Sequence, residues 1–234
     1  ESSGGPITKD NTGVEYYATI FTFAESPKRR GVLWCGSDDG LVNVSQNGGR
    51  TWTNVTPKGM PEWGLCSMVE ASPHNAAEAY LAVDNHENND HAPYLYRTQD
   101  YGKTWTRIVD GLPKDVFVRT VREDPVRDGL LFCGTETGVY VSFNDGAYWQ
   151  PLQLNLPNVP VHDLTIKEGD LIAATHGRGF WILDDISPLR QMTANPGAAV
   201  LFAPKDAYRV RLGGGFGGGG GRRGGAPAGP SFEQ

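Results

Sequence analysis

The stretch SQNGGRTW at residues 45–52 decides the fold class, because it recurs as TQDYGKTW at 98–105 and as SFNDGAYW at 142–149. We call each copy an octet. The first residues of the octets, 45, 98 and 142, are 53 and 44 residues apart. These intervals bracket the roughly 40 to 50 residues of a four-stranded propeller blade. The sequence therefore predicts an all-β fold, a β-propeller of four-stranded antiparallel blades with about four blades present.

The octets contain the residue types that a tight turn between two strands requires. A hydroxyl and an Asp or Asn accept backbone N–H bonds, and glycine supplies a positive φ without steric cost. The tryptophan covers the hairpin with a large apolar ring. Because the first and third octets carry Asn where the second carries Asp, the turn needs no ionised carboxylate, and we expect a structural role. The residues concerned are Ser45, Asn47, Gly49, Trp52, Thr98, Asp100, Gly102, Trp105, Ser142, Asn144, Gly146 and Trp149.

Short runs of β-branched and aromatic residues, bounded by Gly, Pro, Asn or Asp, surround each octet and predict four strands per blade. Blades with an octet are expected over residues 16–60, 61–113 and 114–157. A final blade without an octet is expected over 158–212, with residues 199–202 as its candidate last strand. Residues 1–15 form an N-terminal extension in this division, and the Gly-rich residues 213–234 form a linker.

Composition excludes several function classes. No stretch approaches the roughly 20 apolar residues of a transmembrane helix. The formal net charge of -6 argues against nucleic acid as a partner, because such proteins present a basic face. Three cysteines cannot all pair within one chain, and Cys35 and Cys133 fit the pattern of small buried apolar residues. We assign no cofactor and no metal site.

Four segments, at residues 5–13, 122–125, 159–163 and 175–188, resemble a family of large bacterial proteins with sortilin-like, BNR/Asp-box propellers. The longest of them reads THGRGFWILDDISP. Members of this family are often labelled glycosyl hydrolases. The likeness extends over residues 5–208 and implies that the octets are Asp-boxes in the last blades of a larger propeller. It also implies a following C-terminal domain and an exported parent protein, either periplasmic or extracellular.

Strand order separates two faces of the predicted propeller. The octets share the octet face with the turns between first and second strands. The turns between second and third strands share the opposite face, here the connection face, with the links between blades. Candidate ligand-binding residues on the connection face are Trp63, Asp84, His86, His162, His176 and Arg178. The carboxylates considered for catalysis are Asp38, Asp39 and Glu136. Residues 84–91 have metal-ligand side chains, but polar loops of this kind are mostly solvated.

Two functions remain open at this point. The favoured one is a non-catalytic module that binds a peptide, a protein or a glycan. The alternative is a sialidase- or xyloglucanase-like glycoside hydrolase with its site on the connection face. A glycosidase needs two carboxylates about 5 to 10 Å apart across the sugar bond, and the sequence singles out no such pair. A facing pair with one raised pKa would favour the enzyme, whereas a broad aromatic face without such a pair would favour recognition.

Overall fold

The computed structural model describes residues 18–192 and 199–206. The predicted extension at 1–15 and linker at 213–234 lie outside these residues. The first two sheets comprise β1 (Ile20–Glu25), β2 (Leu33–Ser37), β3 (Val42–Ser45), β4 (Thr53–Asn54), and β5 (Leu65–Ala71), β6 (Ala79–Asp84), β7 (Tyr94–Thr98), β8 (Thr106–Arg107). The last two comprise β9 (Val118–Glu123), β10 (Leu131–Thr135), β11 (Val139–Ser142), β12 (Gln150–Pro151), and β13 (Val161–Lys167), β14 (Asp170–Thr175), β15 (Phe180–Leu183). A 3-10 turn, His86–Asn88, and a short helix α1, Ser187–Gln191, complete the elements.

Each sheet is an antiparallel meander in which strands pair in chain order. Successive sheets pack face to face through three apolar cores. The core between the first two blades contains Trp34 and Leu81, and the next contains Leu95 and Val121. A third core of the same kind joins the last two blades. Consecutive meanders stacked in this way are propeller blades, so the predicted fold class is confirmed.

The first strand of each blade lies at the inner edge of the arc. Strand β5 contacts both β1 and β9, and β9 also contacts β13. A cavity of about 380 Å³ is lined by one such strand from every blade, through Ala24, Glu70, Arg122 and Thr165. These strands therefore surround the channel that a propeller has at its centre.

Each octet joins the third and fourth strands of its blade through one repeated set of hydrogen bonds. In the first copy, the Ser45 hydroxyl accepts a bond from the Gly49 amide at 2.9 Å. The side-chain oxygen of Asn47 accepts from the Thr51 amide at 3.0 Å. The later copies repeat both bonds, with an Asp in the second and an Asn in the third. Asn and Asp serve equally here because the turn uses the oxygen and not the charge.

The octet tryptophan also fastens its blade to the preceding blade. The indole N–H of Trp105 donates to the carbonyl of Val55 at 2.7 Å, and that of Trp149 donates to Ile108 at 2.8 Å. Both acceptors directly follow the two-residue fourth strand of the blade before. In the first blade, where the described residues supply no preceding sheet, Trp52 is 42% exposed.

The final blade departs from the prediction of four strands. Among the described residues its sheet has three strands, and residues 199–206 form none, so the predicted last strand at 199–202 is wrong. The chain instead turns into α1, which has Pro188 in its first turn, where a missing N–H costs nothing. Ile186 is fully buried in the last core, and the Arg190 guanidinium binds the carboxylate of Asp124 at 2.9 Å. These contacts hold the chain against blade three, away from the edge strand β15.

The three cysteines, Cys35, Cys66 and Cys133, are free and buried, as predicted for two of them. Burial raises the pKa of the Cys66 thiol to about 12, so this sulfur behaves as an apolar group. Across residues 18–192 and 199–206, no helix has the length and apolar character needed to cross a membrane.

Candidate functional site

Arg119 organises a cluster of side chains on the connection face. It lies at the start of β9, where the first strand of blade three enters from that face. Its guanidinium binds Glu136 Oε2 through Nε at 2.9 Å and Nη2 at 2.8 Å, and approaches Asp84 Oδ2 at 3.5 Å through Nη1. Asp84 ends β6 and is almost fully buried, whereas Glu136 lies in the turn after β10. One guanidinium therefore joins the connection-face turns of blades two and three.

Aromatic rings cover one side of this ion-pair network. The imidazole of His86 stacks on Phe117 with ring centres 4.7 Å apart and planes 8° from parallel. The Arg119 guanidinium lies 4.8 Å from the centre of the same Phe117 ring. The edge of His91 approaches that ring at 5.8 Å. His86 is itself held by Asp84, with Nδ1 and Oδ1 2.6 Å apart, so its orientation is set by two neighbours.

The final blade adds two histidines to the cluster. His162, on β13, and His176, in the turn after β14, have ring centres 5.0 Å apart. Burial lowers the pKa of His162, and the positive charge of Arg119 and the neighbouring His176 lower it further. Glu136 and Asp84 act in the opposite direction on the same group. His162 is therefore neutral near pH 7 and can either donate or accept a hydrogen bond.

The cluster has the chemistry of a recognition surface. It offers an aromatic ring with imidazoles against it, a further pair of imidazoles and a guanidinium, contributed by three successive blades. Both of its carboxylates, on Asp84 and Glu136, contact Arg119, so each faces a fixed positive charge. An acid for general acid catalysis needs an environment that keeps its proton, such as an apolar pocket or a second carboxylate. Each of these carboxylates is instead paired with a guanidinium.

The catalytic candidates of blade one are occupied in their own turn. The Asp38 carboxylate accepts bonds from the Thr19 amide at 2.8 Å and the Thr19 hydroxyl at 2.9 Å. Asp39 accepts a bond from the hydroxyl of Ser37. Among the contacts of the described residues, none joins Asp38 or Asp39 to Glu136. The turn between β2 and β3 thus uses both carboxylates for its own conformation.

Trp63 and Arg178, the remaining ligand-binding candidates, lie in loops of the connection face. Trp63 is half-buried with a φ of 61°, and its carbonyl accepts a bond from the side chain of Asn88 at 3.3 Å. Arg178 is exposed in the turn between β14 and β15, where its carbonyl accepts from the Trp181 indole at 3.2 Å. At both positions the backbone carbonyl accepts a hydrogen bond within a connection-face turn.

The loop at residues 84–91, which has metal-ligand side chains, is closed by its own hydrogen bonds. The Asp90 carboxylate accepts hydrogen bonds from the Tyr94 hydroxyl at 2.6 Å and from the side-chain amide of Asn85 at 2.9 Å. Asn85 in turn accepts from Asn88 at 2.8 Å. The polar groups of this loop therefore stabilise its conformation.

Sequence reasoning missed the two central residues of the cluster, Phe117 and Arg119. Both lie within the predicted blade at 114–157, but neither was among the candidate site residues. A charged residue on a strand that lines the channel was the available signal, and Arg122 carries the same signal three residues further along β9. Arg122 binds Glu70 at 2.7 Å and Asp163 at 3.0 Å, which ties the first strands of three blades together. Burial raises the pKa of Glu70, although Arg122 acts against that rise.

Comparison with known proteins supports the propeller fold. No protein-family model matches the chain. A sequence relative is the oligoxyloglucan-reducing end-specific xyloglucanase of Emericella nidulans, which is 27% identical over 110 residues, or 46% of this chain and 13% of that protein.

Among solved structures, YCF48 bound to D1 peptide aligns with a TM-score of 0.53 and 18% identity, over 71% of this chain and 51% of that one. The GH74 xyloglucanase from Xanthomonas campestris aligns with a TM-score of 0.54 and 16% identity, over 70% and 29% of the two chains. The fold is that of β-propeller blades. The chain thus spans about half or less of the length of these relatives, and at such identities the structural likeness extends to the fold alone.

Proposed function

We propose that this propeller segment is a non-catalytic binding module that captures a peptide or protein segment on its connection face. The observation that carries the proposal is the Arg119 cluster. Its aromatic and imidazole groups are held in place by buried or paired partners, and its two carboxylates are engaged by the guanidinium. Fixed aromatic and arginine side chains are the usual anchors of a protein interface. The structural neighbour YCF48, bound to a D1 peptide, lends this ligand class support by analogy of fold.

Selection from a random-peptide phage library against the immobilised 234-residue chain tests the proposal. Enriched peptides should bind the unmodified protein and the Arg50→Met control, which removes an exposed arginine on the octet face. They should bind His86→Ala and Arg119→Met at least tenfold more weakly, since each substitution removes a group that contacts the Phe117 ring. Circular dichroism of both variants checks that the blades remain folded. Absence of enrichment, or equal binding to His86→Ala, contradicts the proposal.

A glycoside hydrolase remains the second candidate, because a xyloglucanase is among the relatives. In that case Glu136 would act together with Asp38 or Asp39, the carboxylates suggested by the sequence. Incubation of the chain with xyloglucan, followed by reducing-sugar detection, decides between the candidates. The binding proposal expects no release of sugar above a heat-inactivated control. Hydrolysis that Glu136→Gln abolishes would make the enzyme the correct interpretation.

We further propose that additional blades cover the two outer faces of the arc. On β1, Phe21 and Phe23 are 58% and 55% exposed, and on β15, Phe180 and Ile182 are 79% and 58% exposed. Equivalent faces between the four described blades are buried, and large apolar patches of this kind are normally interfaces. Trp52 also lacks, among the described residues, the preceding blade that its two counterparts contact. The occupants would be further blades of an exported, sortilin-like parent that also carries a C-terminal domain.

Light scattering and a thermal melt of the 234-residue chain test this part. Exposed outer faces should make the isolated chain self-associate, and Phe23→Ser together with Phe180→Ser should reduce the association. A monodisperse monomer with one cooperative transition would contradict the requirement for further blades.

A further inference from the structure

A group of carboxylates lies on the octet face, between blades two and three and away from the Arg119 cluster. Glu123 ends β9, Asp128 lies in the following turn, and Asp145 is part of the third octet. One carboxylate oxygen from each residue lies within 4.8 Å of the other two. Glu123 is 3% exposed, Asp145 is half-buried and Asp128 is exposed. The group is therefore open to solvent on one side and closed on the other.

Within the described part of the chain, one of the two carboxylate oxygens of Glu123 is buried without a hydrogen bond. Its Oε1 accepts a bond from the Gly129 amide at 3.2 Å. Its Oε2 is buried, and among the described residues it has no hydrogen-bond partner. A buried carboxylate oxygen without a partner is costly, because the water that solvated it has not been replaced. The unsatisfied oxygen is an observation independent of the clustering, and a cation at this position would satisfy it.

The surrounding charges do not supply that ligand. The guanidinium of Arg97 binds Glu78 at 2.6 Å and Asp145 at 3.1 Å. The hydroxyl of Tyr80 lies between the same two carboxylates, 3.2 Å from Glu78 and 3.5 Å from Asp145. Arg97 thus contacts two of the four carboxyl groups in this region, those of Glu78 and Asp145. Glu123 and Asp128 have no contact with it.

The spacing of the three carboxylates matches the ligand shell of a hard divalent cation. Calcium binds oxygen atoms at about 2.3–2.6 Å, so two oxygens on opposite sides of the ion are about 5 Å apart. Three oxygens within 4.8 Å of one another can therefore contact one calcium ion. Calcium completes a shell of about 6–8 ligands with water and tolerates irregular geometry, whereas magnesium demands a near-ideal octahedron. Three carboxylates from separate elements therefore suit calcium better than magnesium.

We propose that Glu123, Asp128 and Asp145 bind a calcium ion at the junction of blades two and three. The ion contacts the buried Oε2 of Glu123 and joins the turn after β9 to the third octet. It thereby fixes two octet-face turns of blade three against each other, beside the octet whose tryptophan bonds to blade two. The sequence analysis assigned no metal site. Asp128 follows Glu123 by 5 residues and Asp145 follows Asp128 by 17, so the three ligands meet only in the folded blade.

Isothermal titration of CaCl2 into the EDTA-treated 234-residue chain tests the site, with MgCl2 as the comparison. We expect one calcium ion to bind per chain, with an affinity at least tenfold higher than that for magnesium. Addition of calcium should raise Tm by several degrees. Asp128→Asn should weaken calcium binding at least tenfold, because it removes an exposed ligand without disturbing the core. Asp115→Asn is the matched control, since it removes an exposed carboxylate on the connection face, and it should bind calcium like the unmodified chain.

Absence of both heat and Tm shift at millimolar calcium would overturn the proposal. Equal calcium affinity in Asp128→Asn and the unmodified chain would do the same, since binding would then lie elsewhere. Preference for magnesium would refute the assignment to calcium. Glu123→Gln offers a second variant for the buried oxygen. It should lose calcium binding while keeping its fold, because the amide has nearly the shape of the carboxylate and no charge to compensate.

Discussion

Replacement of the octet tryptophans by alanine should affect the blades very unequally, although the three residues occupy the same position of the repeat. Trp149 is 1% exposed, packs in the core between blades two and three, and donates its indole N–H to the Ile108 carbonyl at 2.8 Å. Trp52 is 42% exposed. The comparison of Trp149→Ala with Trp52→Ala therefore measures what the preceding blade contributes to the octet.

The expected magnitudes follow from burial. Truncation of a large aromatic side chain in a core costs about 3–5 kcal/mol, through lost burial and the cavity that remains. At Trp149 the change also leaves the Ile108 carbonyl without its indole donor, which places the loss toward the upper end of that range. At Trp52 roughly half of the ring is already in water, so we expect a loss of about 1–2 kcal/mol. Trp149→Phe retains most of the packing and removes the donor, and should fall between the two.

Urea unfolding of the three variants, followed by far-ultraviolet circular dichroism, measures these differences. In a thermal melt, a loss of about 3–5 kcal/mol corresponds to about 2–4 °C per kcal/mol for a chain of this size, so Trp149→Ala should lower Tm by roughly 6–20 °C. The reasoning is refuted if Trp52→Ala and Trp149→Ala destabilise the chain equally, within about 1 kcal/mol. Equal losses would mean that the tryptophan acts within its own hairpin and not across the junction between blades.

Three further predictions concern the channel and the turns. Because burial lowers the pKa of His162, its imidazole should titrate below 6.5 by NMR and return to that value in urea. Its contribution to stability is then fully present above pH 6.5 and is lost as the pH falls from 6.5 through the lowered pKa of the folded state. This is the sign expected for a histidine held neutral in the fold. Arg122→Met should cost about 3 kcal/mol in urea unfolding, since it leaves Glu70 buried without its partner, and Glu70→Gln should restore part of that loss. Gly146→Ala should be more damaging than Gly48→Ala in a thermal melt: both have positive φ, but a Cβ at 146 would lie 2.5 Å from the preceding blade, whereas at 48 nothing lies within 4 Å.

Most of the fold could be predicted because its signals are local. The octet specifies its own turn, since the hydroxyl, the Asn or Asp and the glycine contact one another within eight residues. The Ser-Pro step after β1 behaves in the same way, with the Ser26 hydroxyl accepting two amides of the following turn. The error at 199–202 arose where no octet marks a fourth strand. There the position of the chain depends on tertiary contacts, such as the burial of Ile186 and the ion pair between Arg190 and Asp124.

The candidate site could be predicted in part. His86, Asp84, Glu136, His162 and His176 were assigned to the connection face, because strand alternation determines the end of a blade at which each turn lies. Their grouping around a single guanidinium had no signal in the sequence. It depends on the angle between neighbouring blades, which is set by how large side chains in three separate cores fit together.

The sequence by itself determined the repeat, the all-β class, the octet turns and the face on which each turn emerges. All of these follow from contacts between residues a few positions apart and from the two-residue period of a strand. Only the tertiary structure decided that Arg119 binds Asp84 and Glu136, that Glu123 has a buried oxygen without a partner, and that Trp52 and Trp149 have different surroundings. Some of these are relations between blades, such as the contact of Asp84 with Arg119, and the others join strands and turns that are separated along the chain, which a local pattern does not encode.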